Sequence, residues 1–162
     1  MPMQYPIVCA AALTEEVMNR FIEDNDMDED EWNFVFVDSI DECYDEPSFA
    51  PVEGPSNPNS PFIGKSPEEC HKLLLKLCED TESELLHRYF AIMDERSMQD
   101  DTVLLVRAGD GDEVELSSVR ATFEASPSSL VCYLTGHSSP NTDAYSAGTD
   151  GVYRGPDKWN YK

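Results

Sequence analysis

The sequence predicts a single α/β domain with a small, mostly parallel β-sheet and helices packed on its faces. Two observations lead to this prediction. Short, almost continuous apolar segments, typical of strands buried on both faces, alternate with amphipathic helical segments. The chain has 162 residues, of which 40% are hydrophobic and 10% aromatic, and this suits one domain with one core. We therefore assign residues 1–155 to one acidic domain and residues 156–162 to a C-terminal tail.

The first elements are predicted to be a strand, a helix and a second strand. Residues 7–12 are an apolar run suited to a buried strand. Thr14 can cap a helix over residues 15–24, in which apolar residues recur at helical spacing. Residues 32–37 are rich in aromatic and β-branched side chains, and they predict a central strand.

Residues 47–65 are predicted to be a Pro-rich surface loop. The segment contains five prolines and two glycines, which exclude a helix or a paired strand. A loop of this length is either a functional element or a tolerated surface insertion, and the sequence leaves both interpretations open.

A capping box opens the second helix. The hydroxyl of Ser66 can accept from the amide of Glu69, the Glu69 carboxylate can reach back to Ser66, and Pro67 suits the first helical position. The leucines that follow share one face, which predicts a helix over residues 67–80.

The remaining elements are predicted from shorter signals. Tyr89–Met93 and residues 103–106 are apolar runs typical of buried strands. Residues 119–123 favour a short helix that ends at Pro127. Residues 130–134 fit either a last strand or a last helix, since periodicity does not separate the two.

The charge is the most unusual property of the composition. The chain has 33 acidic and 11 basic residues and a net charge of −22. Such a field repels nucleic acid and anionic membranes and attracts basic protein surfaces, although an acidic surface also serves solubility alone. The predicted partner-binding residues lie in the most acidic segment of the chain: Glu23, Asp24, Asp26, Asp28 and Asp30.

The sequence predicts no cofactor and no dedicated metal site. The alternating aspartates lack the glycine and glutamate that an EF-hand loop needs at its sixth and twelfth positions. The five cysteines contain no C-x-x-C pair, so neither a zinc site nor a disulfide framework is indicated. The histidines at 71, 87 and 137 are interpreted as surface or structural residues. No lysine or arginine precedes the apolar run near the N-terminus, and we expect a cytoplasmic or nuclear protein.

One arrangement of residues is compatible with an enzyme. Asp38, Asp94 and Arg107 each follow a predicted strand, and ligands of open parallel sheets bind at the carboxyl ends of strands. Two carboxylates and a guanidinium at one edge could hold Mg²⁺ and a phosphate. The competing interpretation is that an aspartate after a strand caps the next helix or turn.

The order of five short segments resembles a known family. The segments are FVFVD at 34–38, SPEE at 66–69, YFAIMD at 89–94, VLLV at 103–106 and DGVYRG at 150–155. The chain resembles uncharacterised α/β proteins of actinobacteria and fungi, a domain of unknown function with a D-G-V-[FY]-R-G ending. It departs from that pattern at 47–65 and at 135–149. The resemblance implies a fold, and it implies no activity and no catalytic residues.

The function predicted from the sequence is that of a non-catalytic binding or regulatory module for a basic macromolecular partner. The alternative is a small Mg²⁺-assisted enzyme that uses Asp38 and Asp94 at the carboxyl edge of the sheet.

Overall fold

The domain is built from one sheet and the helices that cover it. The computed structural model describes residues 3–25, 31–109 and 115–155. Within these ranges the chain forms six strands and five helices. They are β1 (Tyr5–Cys9), α1 (Glu15–Asn25), β2 (Phe34–Val37), α2 (Pro67–Thr81), β3 (Tyr89–Met93), α3 (Glu95–Asp100), β4 (Thr102–Ala108), β5 (Leu116–Thr122), α4 (Ser126–Thr135), α5 (Pro140–Tyr145) and β6 (Val152–Tyr153).

The sheet is mixed, with the strand order β2-β1-β3-β4-β5-β6. Strand β1 pairs in parallel with β2 and β3, and β5 pairs in parallel with β6. Strand β4 is antiparallel to both of its neighbours, β3 and β5. The predicted single α/β domain is confirmed, but the prediction of a mostly parallel sheet holds only in part, for β2-β1-β3 and for β5-β6. Residues 94–101 alone separate β3 from β4, and a parallel crossover needs a dozen or more residues.

Helices cover both faces of the parallel half, as predicted. Helix α1 buries Val17, Met18 and Phe21 in one core cluster, together with inward-facing residues of the sheet. Helix α2 buries Leu74 and Leu77 in the second cluster on the other face. Strand β1 is buried along its whole length because it lies between β2 and β3 and beneath both helices.

Strand β2 lies at the edge of the sheet, so the predicted central placement of residues 32–37 is wrong. Phe34 and Val35 are nevertheless buried, in opposite clusters, because α1 and α2 extend over the edge. Ser48 forms hydrogen bonds with the backbone groups on the outer side of this strand. Its amide donates to the Phe34 oxygen at 2.8 Å, and its Oγ accepts from the Phe36 amide at 3.0 Å.

The predicted capping box of α2 is confirmed. The Glu69 amide donates to Ser66 Oγ at 3.2 Å, and the Ser66 amide donates to Glu69 Oε1 at 3.1 Å. Pro67 stands in the first turn, where its missing N–H needs no partner. The helix ends at Thr81, and the next residue, Glu82, caps it in a left-handed conformation with φ of 57°.

Two predictions for the segment from residue 116 onward are wrong. Residues 119–123 form the end of β5 and a turn rather than a helix, because Val119, Ala121 and Phe123 are buried at a period of two. Residues 130–134 belong to helix α4. Pro127 lies in the first turn of that helix and does not end one.

The DGVYRG segment forms a turn and the last strand. The Asp150 carboxylate accepts from the Val152 amide at 3.1 Å and from Arg154 Nη2 at 2.6 Å. Gly151 has φ of 78°, which suits a residue without Cβ. Strand β6 then extends the sheet beside β5. The tail at 156–162 lies outside the described residues.

The longest of the described helices, α2, has 15 residues. None of the helices that the structure describes combines the length and apolar character needed to cross a membrane.

Replacing Ser66 with Ala should lower the free energy of unfolding by about 1 kcal/mol, because the Glu69 amide loses its acceptor. Urea denaturation of the two proteins measures this difference. Ser118→Ala, at an exposed position of β5, is the control and should change stability by less than about 0.5 kcal/mol. Equal midpoints for the Ser66 variant and the control would show that the cap does not stabilise α2.

Replacing Phe34 with Ala should lower the free energy of unfolding by about 3–5 kcal/mol. The ring is 1% exposed and stacks on Tyr5 with centroids 5.2 Å apart, so its removal leaves a cavity under α1. Phe49→Ala is the matched control, since that ring is 44% exposed. A Phe34 variant as stable as the Phe49 variant would contradict the burial of β2.

Candidate functional site

The carboxylate of Asp38 is held by the chain around it. Its Oδ2 accepts from the Asn57 amide at 2.7 Å, and its Oδ1 accepts from the Tyr44 hydroxyl at 3.3 Å. Asn57 Nδ2 also donates to the Asp38 main-chain oxygen at 3.1 Å. Asp38 therefore anchors the Pro-rich loop to the end of β2.

The Pro-rich loop packs over the carboxyl end of β1. Ser60 Oγ donates to the Cys9 oxygen at 2.6 Å, and Ser56 Oγ accepts from the Leu13 amide at 2.9 Å. The Phe62 side chain is fully buried. The edge at which open α/β sheets bind ligands is thus covered, at β1, by the chain itself.

Asp94 follows β3 and caps α3, which agrees with the capping interpretation of an aspartate after a strand. Its Oδ1 accepts from the Ser97 amide at 3.2 Å. The Arg120 guanidinium donates to both carboxylate oxygens, at 2.8 and 2.7 Å, and Arg120 Nε donates to Thr102 Oγ1 at 2.7 Å. The Arg120 side chain is 10% exposed and that of Asp94 is 33% exposed.

This pairing fixes the charge of Asp94. Burial raises the pKa of the carboxyl, but the hydrogen bonds and the positive charge of Arg120 outweigh burial and leave the pKa below its usual value. The Ser97 amide and hydroxyl act in the same direction. Asp94 is therefore an ionised acceptor for Arg120 at neutral pH.

Arg107 does not lie at the same edge as Asp94, and that part of the predicted site is wrong. In the antiparallel pairing of β3 with β4, Arg107 stands opposite Tyr89, the first residue of β3, whereas Asp94 follows the last residue. A parallel β4 would have brought Arg107 to the carboxyl edge. The arginine that meets Asp94 is Arg120, on β5.

Asp38 and Asp94 are also separated from each other. They follow β2 and β3, and β1 lies between these strands, so the strand ends are roughly 10 Å apart. The ranges that the structure describes contain no cluster of three or more His, Cys, Asp or Glu residues suited to a metal ion. Asp38 therefore positions the Pro-rich loop, and Asp94 positions α3.

A second group of carboxylates surrounds a hollow of about 160 Å³, which we call the acidic hollow. It lies between the end of α1, the connection from α3 to β4, and the end of β5. Its lining residues are Asp24, Asp100, Asp101, Thr122, Phe123 and Glu124.

The carboxylates of the acidic hollow differ in their partners. Asp101 accepts from Arg20, with Nη2 at 2.7 Å, and Asp100 accepts from Arg96 Nε at 2.7 Å. Asp24 and Glu124 form no ion pair with any residue in the described ranges. Among the described residues the hollow therefore has two more carboxylates than guanidinium partners.

Two features shape this hollow further. Helix α1 ends at its rim with no basic residue in the last turn, so the partial negative charge of the helix end adds to that of Asp24. Phe123 lies beneath the hollow but is only 1% exposed, so its ring belongs to the core. The Phe123 amide donates to the Asp101 oxygen at 3.0 Å, which joins two walls of the hollow.

The structure places two of the predicted partner-binding residues. Glu23 and Asp24 lie in the last turn of α1, where both are exposed, and Asp24 lines the acidic hollow. The predicted residues Asp26, Asp28 and Asp30 lie outside the described ranges. The other three carboxylates of the hollow were not predicted. The Asp100-Asp101 doublet was the available signal, but Glu124 reaches the site only through the pairing of β4 with β5.

Comparison with family models, with curated proteins and with solved structures finds no match to this chain. The resemblance to the family with the D-G-V-[FY]-R-G ending therefore stays a prediction.

Replacing Asp94 with Asn should lower the free energy of unfolding at pH 7 by about 2–3 kcal/mol, because Arg120 stays buried without its counter-charge. Asn still caps a helix, so the change isolates the charge. The folded-state pKa of Asp94 is lowered. Its contribution is therefore complete above the unfolded pKa, about 4, and is lost as the pH falls through the folded value.

Urea denaturation at pH 7 and pH 3 tests both expectations, with Asp41→Asn as the exposed control. The difference between the wild type and the Asp94 variant should shrink at pH 3. A difference that is equal at both pH values would show that the charge of Asp94 does not stabilise the fold.

Proposed function

We propose that the protein is a non-catalytic binding module that engages a basic macromolecular partner through the acidic hollow. The observation that carries the proposal is the pair of carboxylates, Asp24 and Glu124, that share this hollow without an ion pair among the described residues. A lysine or arginine side chain of the partner would supply the missing cation.

The chemistry of the hollow suits such a side chain. Lysine and arginine bury their methylene stems on apolar surface while the charged head stays among polar groups. The carboxylates of the hollow provide the polar surroundings for that head. A guanidinium can also bind a carboxylate through two parallel hydrogen bonds, which favours arginine over a free cation.

The net charge supports a protein as the partner. At −22 the chain repels nucleic acid and anionic lipid surfaces, and it accelerates encounters with basic proteins. We infer that the exposed acidic residues attract the partner from a distance and that the hollow fixes its position on the protein.

The alternative, a Mg²⁺-assisted enzyme, needs Asp38 and Asp94 on one ion. The oxygens of Asp38 accept from Asn57 and Tyr44, and those of Asp94 accept from Arg120 and Ser97. No contact among the described residues favours this second function, and we propose the binding module alone.

The double variant Asp24→Asn, Glu124→Gln tests the hollow. A labelled hexalysine peptide serves as a basic probe, and stopped-flow fluorescence gives its association rate and affinity. We expect binding about tenfold weaker than that of the wild type, which corresponds to the loss of one charge-assisted contact of about 1.4 kcal/mol. The wild-type association rate should fall steeply with added salt.

The matched control is Glu68→Gln, Glu79→Gln, which removes the same charge from exposed positions on α2, across the sheet from α1. Because both double variants have equal net charge, a difference between them reports the hollow itself. Equal weakening by both pairs would reduce the proposal to a general effect of net charge. Binding unaffected by salt and by either pair would refute it.

A further inference from the structure

Two histidines meet where α2 packs on the sheet. His71 lies on α2, and His87 lies in the turn before β3. Their ring centroids are 6.0 Å apart, with an angle of 46° between the planes. His71 is 5% exposed and stacks on Phe90 of β3, with planes 9° apart. The two rings therefore form part of the contact between α2 and β3.

Each ring has a buried nitrogen without a hydrogen-bond partner. The atoms are His71 Nε2 and His87 Nδ1, and neither contacts a donor or acceptor among the described residues. A protonated imidazole carries a hydrogen on both nitrogens, and each would need an acceptor. At these two atoms the positively charged ring would have none within the described ranges. The geometry of the contact thus accommodates neutral rings and disfavours charged ones.

The charged groups on the surrounding elements do not compensate a protonated ring. Exposed Glu68 and Lys72 flank His71 on α2, Glu84 precedes and Arg88 follows His87 before β3, and β4 brings Arg107 opposite Tyr89. Among these described groups, Arg88 is the one that acts on both rings, and its positive charge opposes their protonation. Two protonated imidazoles at this separation would also repel each other.

We propose that His71 and His87 make the packing of α2 acid-sensitive, so that protonation of either ring loosens α2 from β3. A charged ring at this contact gains acceptors only by moving into water, and that movement separates the helix from the strand.

The loosening of α2 extends to the Pro-rich loop. Leu74 and Leu77 of α2 share a core cluster with Phe62 of that loop. The same loop leads directly into α2 and covers the carboxyl end of β1 through Ser60. Acid therefore weakens the cover over the edge of the sheet at which open α/β folds bind ligands.

The sign of the pH dependence follows from the environment of the rings. Burial lowers the pKa of His71, and His87 and Arg88 lower it further; burial and then Arg88 lower the pKa of His87. The contact is therefore at full strength above the unfolded pKa, about 6.5, and weakens as the pH falls below it. If opening exposes both rings, the opening constant of α2 rises by up to about 100-fold per pH unit.

Hydrogen exchange between pH 7 and pH 5.5 tests the proposal, because most carboxylates stay ionised in this range. After correction for the intrinsic exchange rate, protection of the Leu77 amide in α2 should fall at least about tenfold. Protection of the Phe21 amide in α1, on the other face of the sheet, should change less than about threefold. An equal fall at both amides would indicate global unfolding and overturn the release of α2.

Three variants assign the effect to the histidine pair. His71→Gln and His87→Gln each leave one titrating ring, so the logarithm of Leu77 protection should change with pH about half as steeply as in the wild type. This slope counts protons, so it remains informative if a variant is less protected at pH 7. The control is His137→Gln, at an exposed position, and it should keep the wild-type slope. Equal slopes in all four proteins would overturn the proposal.

Proton NMR of the wild-type imidazoles provides a test that needs no variant. The ring signals of His71 and His87 should each titrate with a midpoint below about 6.5. A midpoint at or above that value for either ring would overturn the proposal. The acidic hollow takes no part in this contact, so the acid-sensitive packing and the proposed binding function can each fail without the other.

Discussion

The Arg120 guanidinium holds the antiparallel half of the sheet against the parallel half. It extends from β5, contacts Thr102 at the start of β4, and forms a two-point ion pair with Asp94 at the end of β3. Asp94 in turn caps α3, the short helix that reverses the chain. The acidic hollow depends on the same pairing, because Asp100 ends this helix, Asp101 follows it, and Glu124 lies just after β5. One buried cation thus sets the geometry of a strongly acidic protein.

The parts of the fold that the sequence predicted are those with strong local signals. The apolar run of β3 and the capping box at Ser66 each specify an element without help from distant residues. Helix α3 has only six, mostly polar residues, and α5 is equally short. Strand β5 contains two serines, an arginine and a threonine, so its sequence does not show the apolar alternation of a strand. The alternation becomes visible only in the structure, where Val119 and Ala121 pack in the core. Mixed pairing in the sheet follows from the short connection at 94–101. The predicted strands at 89–93 and 103–106 already implied a connection too short for a parallel crossover.

The candidate sites illustrate the same limit. Asp24 was predicted from the density of acidic residues around it, whereas its neighbours in the hollow come from two other parts of the chain. Arg107 and Arg120 are equally plausible partners for Asp94 in the sequence, and only the direction of β4 decides between them. His71 and His87 are separated by most of α2 and meet through the packing of that helix on the sheet. Local pattern predicts which residues are charged or buried, and topology decides which of them meet.

The position of Ser48 has a consequence for the behaviour of the protein at high concentration. An exposed strand at the edge of a sheet offers its amides and carbonyls to a strand of another molecule, which is a route to aggregation. On β2 the Phe34 oxygen and the Phe36 amide already bond with Ser48, and Trp32 Nε1 donates to the Ser48 oxygen at 2.7 Å. Ser48 thus blocks strand addition at this edge with its backbone and its hydroxyl, and the exposed acidic residues at 41–46 repel an approaching copy.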